Sequence, residues 1–414
     1  MRRILLIALL AMLLAVPAAM AEDQATQPAG FVARVQALGQ AQQALWGRTT
    51  GLVPAGALIV DFDLRYGAAH RKYDADSELA PLLESLIVPD PLTSGGEFLR
   101  LEFDTEGQGA FYGVGLGYAI SDSLLAWTRL SFQQLRIKID PTFTAGSSAL
   151  LGVRTLDDYW RLCQGLGWPR MTLDYRSRNW EPGDMQLGLD WNWLRSDYLS
   201  FAGRLELTAP TGRLADPDEA LAYGLGAQLD AGNGSWAPGA GLAMDWRLSD
   251  PLRFIGGALA VDYSYYLPGA RRYPSFSAPD PTLAAALEQY GGGLFADFSD
   301  LDGEYTLTPG HALSYLVGLD CDLGWAWLAA DYRFDWRDAP QIDSEREQFA
   351  QLTEMIGVYA EQTREYLQLS VGTRLARLGV PLEITLFGEV PLNGRNAPRL
   401  DQAYGIALRL LLPL

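Results

Sequence analysis

The chain has 414 residues, of which 50 are acidic and 32 basic, so its formal net charge at pH 7 is −18. Aromatic residues make up 11% of the chain and charged residues 20%, and there are 43 glycines. This composition excludes a disordered chain, and the acidic balance argues against a nucleic-acid partner, whose phosphates would be repelled. Two histidines and two cysteines are too few for the usual metal sites or a disulfide framework. We therefore expect no cofactor and no metal.

The N-terminus has the three regions of a secretory signal peptide, which we assign to residues 1–21. Arg2–Arg3 form the basic region, residues 4–16 form an apolar stretch, and Ala19–Ala21 provide the small residues of a cleavage site. A retained membrane anchor is the less favoured alternative, because the apolar stretch is short for a spanning helix. We predict export, with residues 22–56 as a periplasmic or plug segment and 57–414 as the folded body.

From Ala57 onwards, apolar and polar residues alternate in separate segments. Between Met185 and Trp193 the odd positions are apolar and the even positions are polar or glycine, and the next alternating segment begins near Leu199. A period of two is typical of strands with one apolar face, and the short spacer indicates a hairpin. The predicted strands are 57–67, 109–120, 124–137, 184–194, 198–209, 236–248, 252–266, 311–323, 325–336, 366–377, 380–390 and 402–413.

The connections alternate between short turns and long loops, which places both ends of the folded body on the side of the short turns. An even strand number with this segregation is typical of outer-membrane barrels, and Trp and Tyr near the strand ends fit their interfacial girdles. We predict an all-β fold, a transmembrane antiparallel β-barrel of about 12 strands in the outer membrane of a Gram-negative bacterium. A barrel of 14 strands that uses residues 222–233 and a soluble β-sandwich are the alternatives.

Four loop segments have a composition and apolar spacing that suit short helices. We expect these helices to cap the extracellular mouth, either as a lid or ligand vestibule or simply as cover for loop backbone. The segments are Ser77 to Val88, Thr155 to Gly165, Pro281 to Tyr290 and Asp343 to Tyr359.

The polar face of the strands is rich in charged residues. Charges that face lipid cost several kcal/mol near the midplane of the membrane, so this face is expected to line the lumen. It would form a hydrophilic solute path whose opposed charges set selectivity, or it would fill the interior with salt bridges. The candidate residues are Asp61, Asp63, Arg65, Arg129, Asp190, Arg204, Glu206, Asp245, Arg247, Asp262, Asp320, Asp331, Arg333, Arg374, Glu383 and Arg409.

The histidines and cysteines give little support to an enzyme. His70 in AAHRK and His311 in PGHAL match no hydrolase motif, and each is read as an ordinary surface histidine. Cys163 falls in a loop and Cys321 on the lipid-facing side of a strand, so we expect no disulfide between them. We predict no catalytic residues, and an outer-membrane enzyme is the third functional hypothesis.

Three stretches between residues 185 and 336 carry a family resemblance. They are RLELTAPTGRLADPD, the segment from GNGSWAPGAG to VDYSYYLP with its glycine-rich start, and LTPGHALSYLVGLDCDLGWAWLAADYRF. In these features the chain resembles the outer-membrane barrels known as meta-pathway phenol-degradation-like transporters. The resemblance implies a channel of the hydrophobic-compound type and no catalytic residues. Leu414 stands where such barrels commonly end on an aromatic residue.

Our first functional hypothesis is an outer-membrane channel or transporter for small organic molecules, with hydrophobic and aromatic solutes among the candidates. Its expected partners are that solute, outer-membrane lipid and lipopolysaccharide, and the barrel assembly machinery. The second hypothesis is a closed structural or surface-interaction barrel. Loop phenylalanines that could form an apolar vestibule for the solute are Phe98, Phe143, Phe276, Phe295 and Phe298.

Overall fold

The computed structural model describes residues 55–413 with several gaps. Within that span the description leaves out residues 84, 91–92, 94, 166, 168–171, 178, 216, 218–229, 274–279, 282–302, 346–359, 376–377 and 379. The predicted signal peptide and nearly all of the segment 22–56 lie outside the described residues, so both remain predictions.

Twelve antiparallel strands form a closed barrel in which each strand pairs with the strands before and after it in the chain, and the last pairs with the first. This confirms the predicted twelve-stranded barrel, whereas most of segment 222–233 lies outside the described residues. The strands are β1 (Ala57–Ala69), β2 (Glu97–Ser121), β3 (Leu124–Ala145), β4 (Glu181–Arg195), β5 (Leu199–Ala209), β6 (Ala237–Arg247), β7 (Ile255–Ser264), β8 (Ala312–Asp322), β9 (Ala326–Arg337), β10 (Gln362–Arg374), β11 (Leu382–Arg395) and β12 (Gln402–Pro413).

Closure is provided by a continuous ladder between β1 and β12. The register runs from Ala57 opposite Pro413 to Ala68 opposite Gln402, so the two ends of the barrel sequence lie side by side. The connections β2–β3, β4–β5, β6–β7, β8–β9 and β10–β11 are short and lie at this same end, and the long loops lie at the other. In outer-membrane barrels the short turns face the periplasm, which defines the periplasmic and extracellular ends used below.

The outer surface of the barrel carries the apolar residues of each strand. Leu205 on β5 is 64% exposed and Leu242 on β6 is 61% exposed, although both lie in the middle of regular strands. A continuous band of such residues would be an aggregation surface in water, and it is stable when hydrocarbon covers it. Each strand therefore has one lipid-facing side and one interior side, as the alternation predicts.

Glycine residues on the interior side accommodate large neighbours from the adjacent strand. The indole of Trp127 on β3 lies over Gly188 of β4, and that of Trp327 on β9 lies over Gly372 of β10. A Cβ atom at either glycine would collide with the indole ring. These close approaches explain why glycine interrupts the polar face at these positions.

Beyond the barrel wall, β2 and β3 continue as a long hairpin of 25 and 22 residues. The interior side of this extension is covered by the helix α1 (Leu156–Gly165), whose Tyr159 and Trp160 are buried. Together they form a hydrophobic core outside the membrane span that includes Leu99, Leu101 and Ile139. The extension is widened by two short strands, Leu86–Pro89 beside β2 and Asp174–Arg176 beside β3.

The loop helices are found only in part. The helix predicted in 155–165 is confirmed as α1, but the helix predicted from Ser77 to Val88 is wrong. That segment forms two strands, Leu79–Pro81 and Leu86–Pro89, because Pro81 opposes a helix and the ladder with β2 satisfies the backbone. Residues 282–290 and 346–359 lie outside the described residues.

The remaining loops contain two small sheets. One joins Gly269–Arg272, Glu304–Thr308 and Gln341–Asp343, and the other joins Ala397–Arg399, Arg71–Tyr73 and Leu79–Pro81. No helix among the described residues has both the length and the apolar character that a membrane crossing requires. Cys163 on α1 and Cys321 on β8 are both free thiols.

Candidate functional site

All sixteen charged residues singled out from the sequence lie on the interior side of the barrel strands. The register places Asp61 opposite Arg409, and Glu383 opposite both Arg409 and Arg374, so their side chains share one face. The residues are Asp61, Asp63 and Arg65 on β1, Arg129 on β3, Asp190 on β4, Arg204 and Glu206 on β5, Asp245 and Arg247 on β6, Asp262 on β7, Asp320 on β8, Asp331 and Arg333 on β9, Arg374 on β10, Glu383 on β11 and Arg409 on β12.

The interior encloses a cavity of about 760 Å³, to which every one of the twelve strands contributes. Twelve of the sixteen residues line it, and Asp63, Arg65, Asp331 and Arg333 do not. The lining also includes Trp127 and Trp327, together with small polar residues of β7 and β8. A cavity of this volume can admit a small organic molecule, and seven arginines and nine carboxylates are among the groups that line it.

Near the periplasmic end, arginines and carboxylates of six strands form a network of ion pairs. Asp322 at the end of β8 lies 2.8 Å from Arg247 of β6 and 2.9 Å from Arg374 of β10. Arg374 also lies 3.3 Å from Glu383 on β11, and Arg409 lies 2.8 Å from Asp61 on β1. Asp322 is not among the sixteen candidate residues, although the alternation places it on the same polar face as Asp320.

A second group joins β1 to β3 across the intervening strand. Asp63 forms an ion pair with Arg129, and the pair lies directly over Gly113 of β2. A Cβ atom at Gly113 would occupy the space of the Asp63 carboxylate. Because side chains of non-adjacent strands can meet only on the concave side of the sheet, this contact also establishes which side is the interior.

A third group lies on β3 to β7 around the Arg204 guanidinium. Arg204 donates to both oxygens of Asp190, at 2.8 Å and 3.2 Å, and lies 3.7 Å from Asp262. The Trp127 indole nitrogen donates to Asp190 at 3.1 Å, and the guanidinium lies over the Trp127 ring at 5.7 Å. Glu206, on the same face, accepts a hydrogen bond from the Ser264 hydroxyl at 3.0 Å.

Towards the extracellular end, further charged residues reach the interior that the sequence reading did not single out. Arg364 on β10 pairs with Glu389 on β11 at 2.5 Å and lies over the Tyr366 ring at 4.3 Å. Arg337, the last residue of β9, lies over the Tyr266 ring at 5.6 Å. Arg364 was missed because the predicted strand began at residue 366. Glu389 lies an even number of residues from Glu383 on the same predicted strand, so the alternation alone assigns both to one face.

The proline-threonine-glycine motif and the glycine-rich motif of the sequence meet at Asp184 on β4. Its two carboxylate oxygens accept backbone hydrogen bonds from Gly212 at 2.9 Å and from Asn233 at 2.6 Å. Gly212 and Gly232 pack so closely that a Cβ on either would strike the other backbone. The motifs therefore fix the two ends of the long loop between β5 and β6 on the barrel rim.

A buried ion pair connects this loop to the next one. Asp230 lies 3.0 Å from Arg271 in the β7–β8 loop, and both side chains are about nine-tenths buried. Asp230 also accepts a hydrogen bond from the backbone of Ala215 at 2.6 Å. Burial raises the pKa of the Asp230 carboxyl to about 6, against the opposing effect of the Arg271 charge.

The two histidines lie at the extracellular end, outside the lumen cavity. His70 contacts the carboxylates of Asp401 at 3.2 Å and Glu106 at 3.8 Å, and His311 stacks on Tyr265 with ring centroids 4.4 Å apart. Among the described residues, no group of three or more histidine, cysteine or acidic side chains is arranged to hold a metal ion. The geometry thus directs attention to the charged lumen.

A closed twelve-stranded barrel with an apolar outer band and a charged interior has the fold of the outer-membrane β-barrel proteins. The chain is similar to an outer membrane channel from Pseudomonas putida F1, with a TM-score of 0.51 and 10% identity over 89% of this chain and 99% of that chain. The CymD monoaromatic hydrocarbon channel gives a TM-score of 0.32 with 10% identity over 94% of this chain and 93% of that chain. A Pseudomonas aeruginosa FadL homologue gives a TM-score of 0.31 with 11% identity over 86% of this chain and 89% of that chain.

At these identities the likeness concerns the fold. No family model matches the sequence, and no curated protein matches it. The coarser part of the sequence resemblance, an outer-membrane barrel, is therefore confirmed, while membership of the phenol-degradation-like transporters stays a prediction.

Proposed function

We propose that the protein is an outer-membrane channel through which small organic molecules pass along the charged lumen. The observation that carries this proposal is the cavity of about 760 Å³ that all twelve strands surround. Its charged and polar lining compensates a hydrated solute for part of the water that it loses on entry. The chain would reach its site by export and assembly in the outer membrane, with lipid and lipopolysaccharide around its apolar band.

The lining bears on the class of solute. Seven arginines and nine carboxylates face the cavity, so the lumen favours solutes that carry charge or hydrogen-bonding groups. Two of the phenylalanines expected in an apolar vestibule, Phe98 and Phe143, belong to the extracellular core against α1. Phe276, Phe295 and Phe298 lie outside the described residues. A hydrophobic or aromatic solute would need a route that avoids the charged walls.

A closed structural barrel is the second candidate, and one observation favours it. Ion pairs that span three strands, such as Asp63 with Arg129 and Arg247 with Asp322, hold side chains along the wall and reduce the open cross-section. Such a barrel would be folded and silent in conductance measurements.

Single-channel conductance in planar bilayers separates the two candidates. We expect the purified full chain to give discrete current steps. The variants Arg204→Ala and Arg333→Ala should shift its selectivity towards cations, because each removes a positive charge from the interior. Arg253→Ala, in the exposed β6–β7 turn, is the matched control and should leave selectivity unchanged. A wild type that is heat-modifiable on gels, and therefore folded, but gives no current would contradict the channel proposal.

A further inference from the structure

One row of residues crosses five neighbouring strands of the lumen wall, from an acidic end to a basic end. Glu206 on β5 is opposite Gly239 on β6, which is opposite Ser264 on β7. Ser264 is in turn opposite Ala312 on β8, and Ala312 is opposite Arg337 on β9. The three central residues are small, so the row forms a shallow trough with a charged side chain at each end.

The acidic end has more carboxylates than cations. Glu206 and Asp262 are neighbours in successive rows of the wall, and their carboxylates lie over the glycines of β6. Arg204 is the nearest cation, but it lies closer to Asp190, at 2.8 Å, than to Asp262, at 3.7 Å. One guanidinium is thus shared by two carboxylates, and Glu206 is held by the hydroxyl of Ser264.

The basic end presents a guanidinium with an aromatic neighbour. Arg337 lies over the ring of Tyr266, which is itself buried, and among the described residues Arg337 takes part in no ion pair. An arginine held over a ring keeps its N–H groups directed outward, where they can form a bidentate contact with a carboxylate. Arg337 lines the same cavity as Glu206 and Ser264.

The dimensions of the trough limit the solute that it fits. Four strand spacings of about 4.8 Å separate the backbones of Glu206 and Arg337. Both side chains reach inward along the row, because the Glu206 carboxylate contacts Ser264 of β7 and the Arg337 guanidinium lies over Tyr266, which follows β7. The charged groups are therefore closer together than the backbones. A molecule with an ammonium group and a carboxylate several carbons apart would contact both ends. The hydroxyls of Ser264 and Ser314 on the floor offer hydrogen bonds to it.

The charges around the whole cavity have the same polarity as the row. Strands β4 to β8 contribute six carboxylates and two arginines to the lining, whereas the other seven strands contribute three carboxylates and five arginines. This segregation creates a transverse field that orients a dipolar solute as it passes. The lining carboxylates of β4 to β8 are Asp190, Glu206, Asp245, Asp262, Asp320 and Asp322, and the arginines of the other wall are Arg129, Arg337, Arg364, Arg374 and Arg409.

We propose that the row from Glu206 to Arg337 is a binding subsite for small zwitterions, whose ammonium group contacts Glu206 and Asp262 and whose carboxylate contacts Arg337. This inference rests on the proposed channel function and names the class of solute that the channel would favour. A neutral solute of the same size gains neither contact.

Swelling of liposomes that contain the purified full chain tests the subsite. The probes are 6-aminohexanoate, a zwitterion, and erythritol, a neutral solute of similar mass. We expect the zwitterion to enter about fivefold faster, the size of an exposed charge-assisted contact. Glu206→Gln and Arg337→Gln should each lower the ratio of the two rates towards one. Asp197→Asn and Arg253→Gln, in exposed turns, are the matched controls and should keep the ratio of the wild type.

The outcomes separate this inference from the channel proposal. Equal rates for both probes in the wild type, or a ratio that survives both lumen variants, would overturn the zwitterion subsite and leave the channel intact. Swelling with neither probe would overturn the channel itself. Heat-modifiability on gels is measured for every variant, so that only folded barrels enter the comparison.

Discussion

Asp322 is the residue on which most of the periplasmic network depends. Its carboxylate lies within 3 Å of two arginines, Arg247 on β6 and Arg374 on β10. Each of these strands is two strands away from β8, on opposite sides of it. Its side chain is only 9% exposed, so the two guanidinium groups would lose their main counter-ion in a partly dehydrated place if the carboxylate were removed.

We expect Asp322→Asn to lower the free energy of unfolding by about 3 kcal/mol, the usual cost of breaking a buried ion pair from one side. The measurement is urea unfolding in detergent or lipid, followed by tryptophan fluorescence. Asp250→Asn, in the exposed β6–β7 turn, is the control and should change stability by less than about 0.5 kcal/mol. Equal midpoints for the two variants would show that the network contributes little.

At the scale of the elements, strands were predictable wherever lipid defines one face. The predicted strand 402–413 coincides with β12, and the predicted strand 198–209 differs from β5 by one residue. The start of β2 was missed, since the strand begins at Glu97 and not near residue 109. In that extension the apolar residues Leu99 and Leu101 point inward against α1, and charged residues face water. The apolar face therefore changes sides along one strand, which a search for lipid-facing alternation does not detect.

The side chains that face the lumen were predictable from the alternation along each strand, whereas the contacts between them were not. Alternation assigns Arg204 and Asp190 to one face, but only the register shows that they are opposite each other. The glycines that let side chains meet across a strand, such as Gly113, also acquire their meaning from the three-dimensional arrangement. For the same reason Arg337 could be assigned to no site until its row was known.

The loop between β5 and β6 should respond to pH through Asp230. Burial raises the pKa of this carboxyl above its value in the unfolded chain. The protonated form of Asp230 therefore favours the docked state, in which the β5–β6 loop packs against the β7–β8 loop through Asp230 and Arg271. Docking is therefore strongest in acid and weakens as the pH rises through about 6. We expect protection from hydrogen exchange, corrected for the intrinsic rate, to fall at least about tenfold for residues 230–235 between pH 5 and pH 7.5.

Asp230→Asn provides the comparison, because its uncharged side chain keeps the size of the carboxyl group without titrating. Its protection should be the same at both pH values. A wild type whose protection rises with pH would contradict the assigned direction.

At the scale of the whole molecule, an apolar exterior and a charged interior are two faces of the same twelve strands. Hydrocarbon outside requires apolar side chains, and the interior is then free to carry polar residues, which is where barrels that conduct solutes have their selective groups. Composition and alternation are sufficient to predict this division, because it repeats on every strand. Whether the lumen is open or closed does not follow from this division, because it depends on how the charged side chains pair.

The central claim, that the polar face borders the solute path, is tested most directly by chemical modification of single cysteines during current recording. The variant for this measurement has Ser264→Cys together with Cys163→Ala and Cys321→Ala, so that position 264 carries its one thiol. The reagent is a small cationic methanethiosulfonate. We predict that modification of position 264 reduces the current, whereas Val261→Cys, on the lipid-facing side of the same strand, gives no change. A current that is blocked through position 261 and insensitive at position 264 would contradict the account.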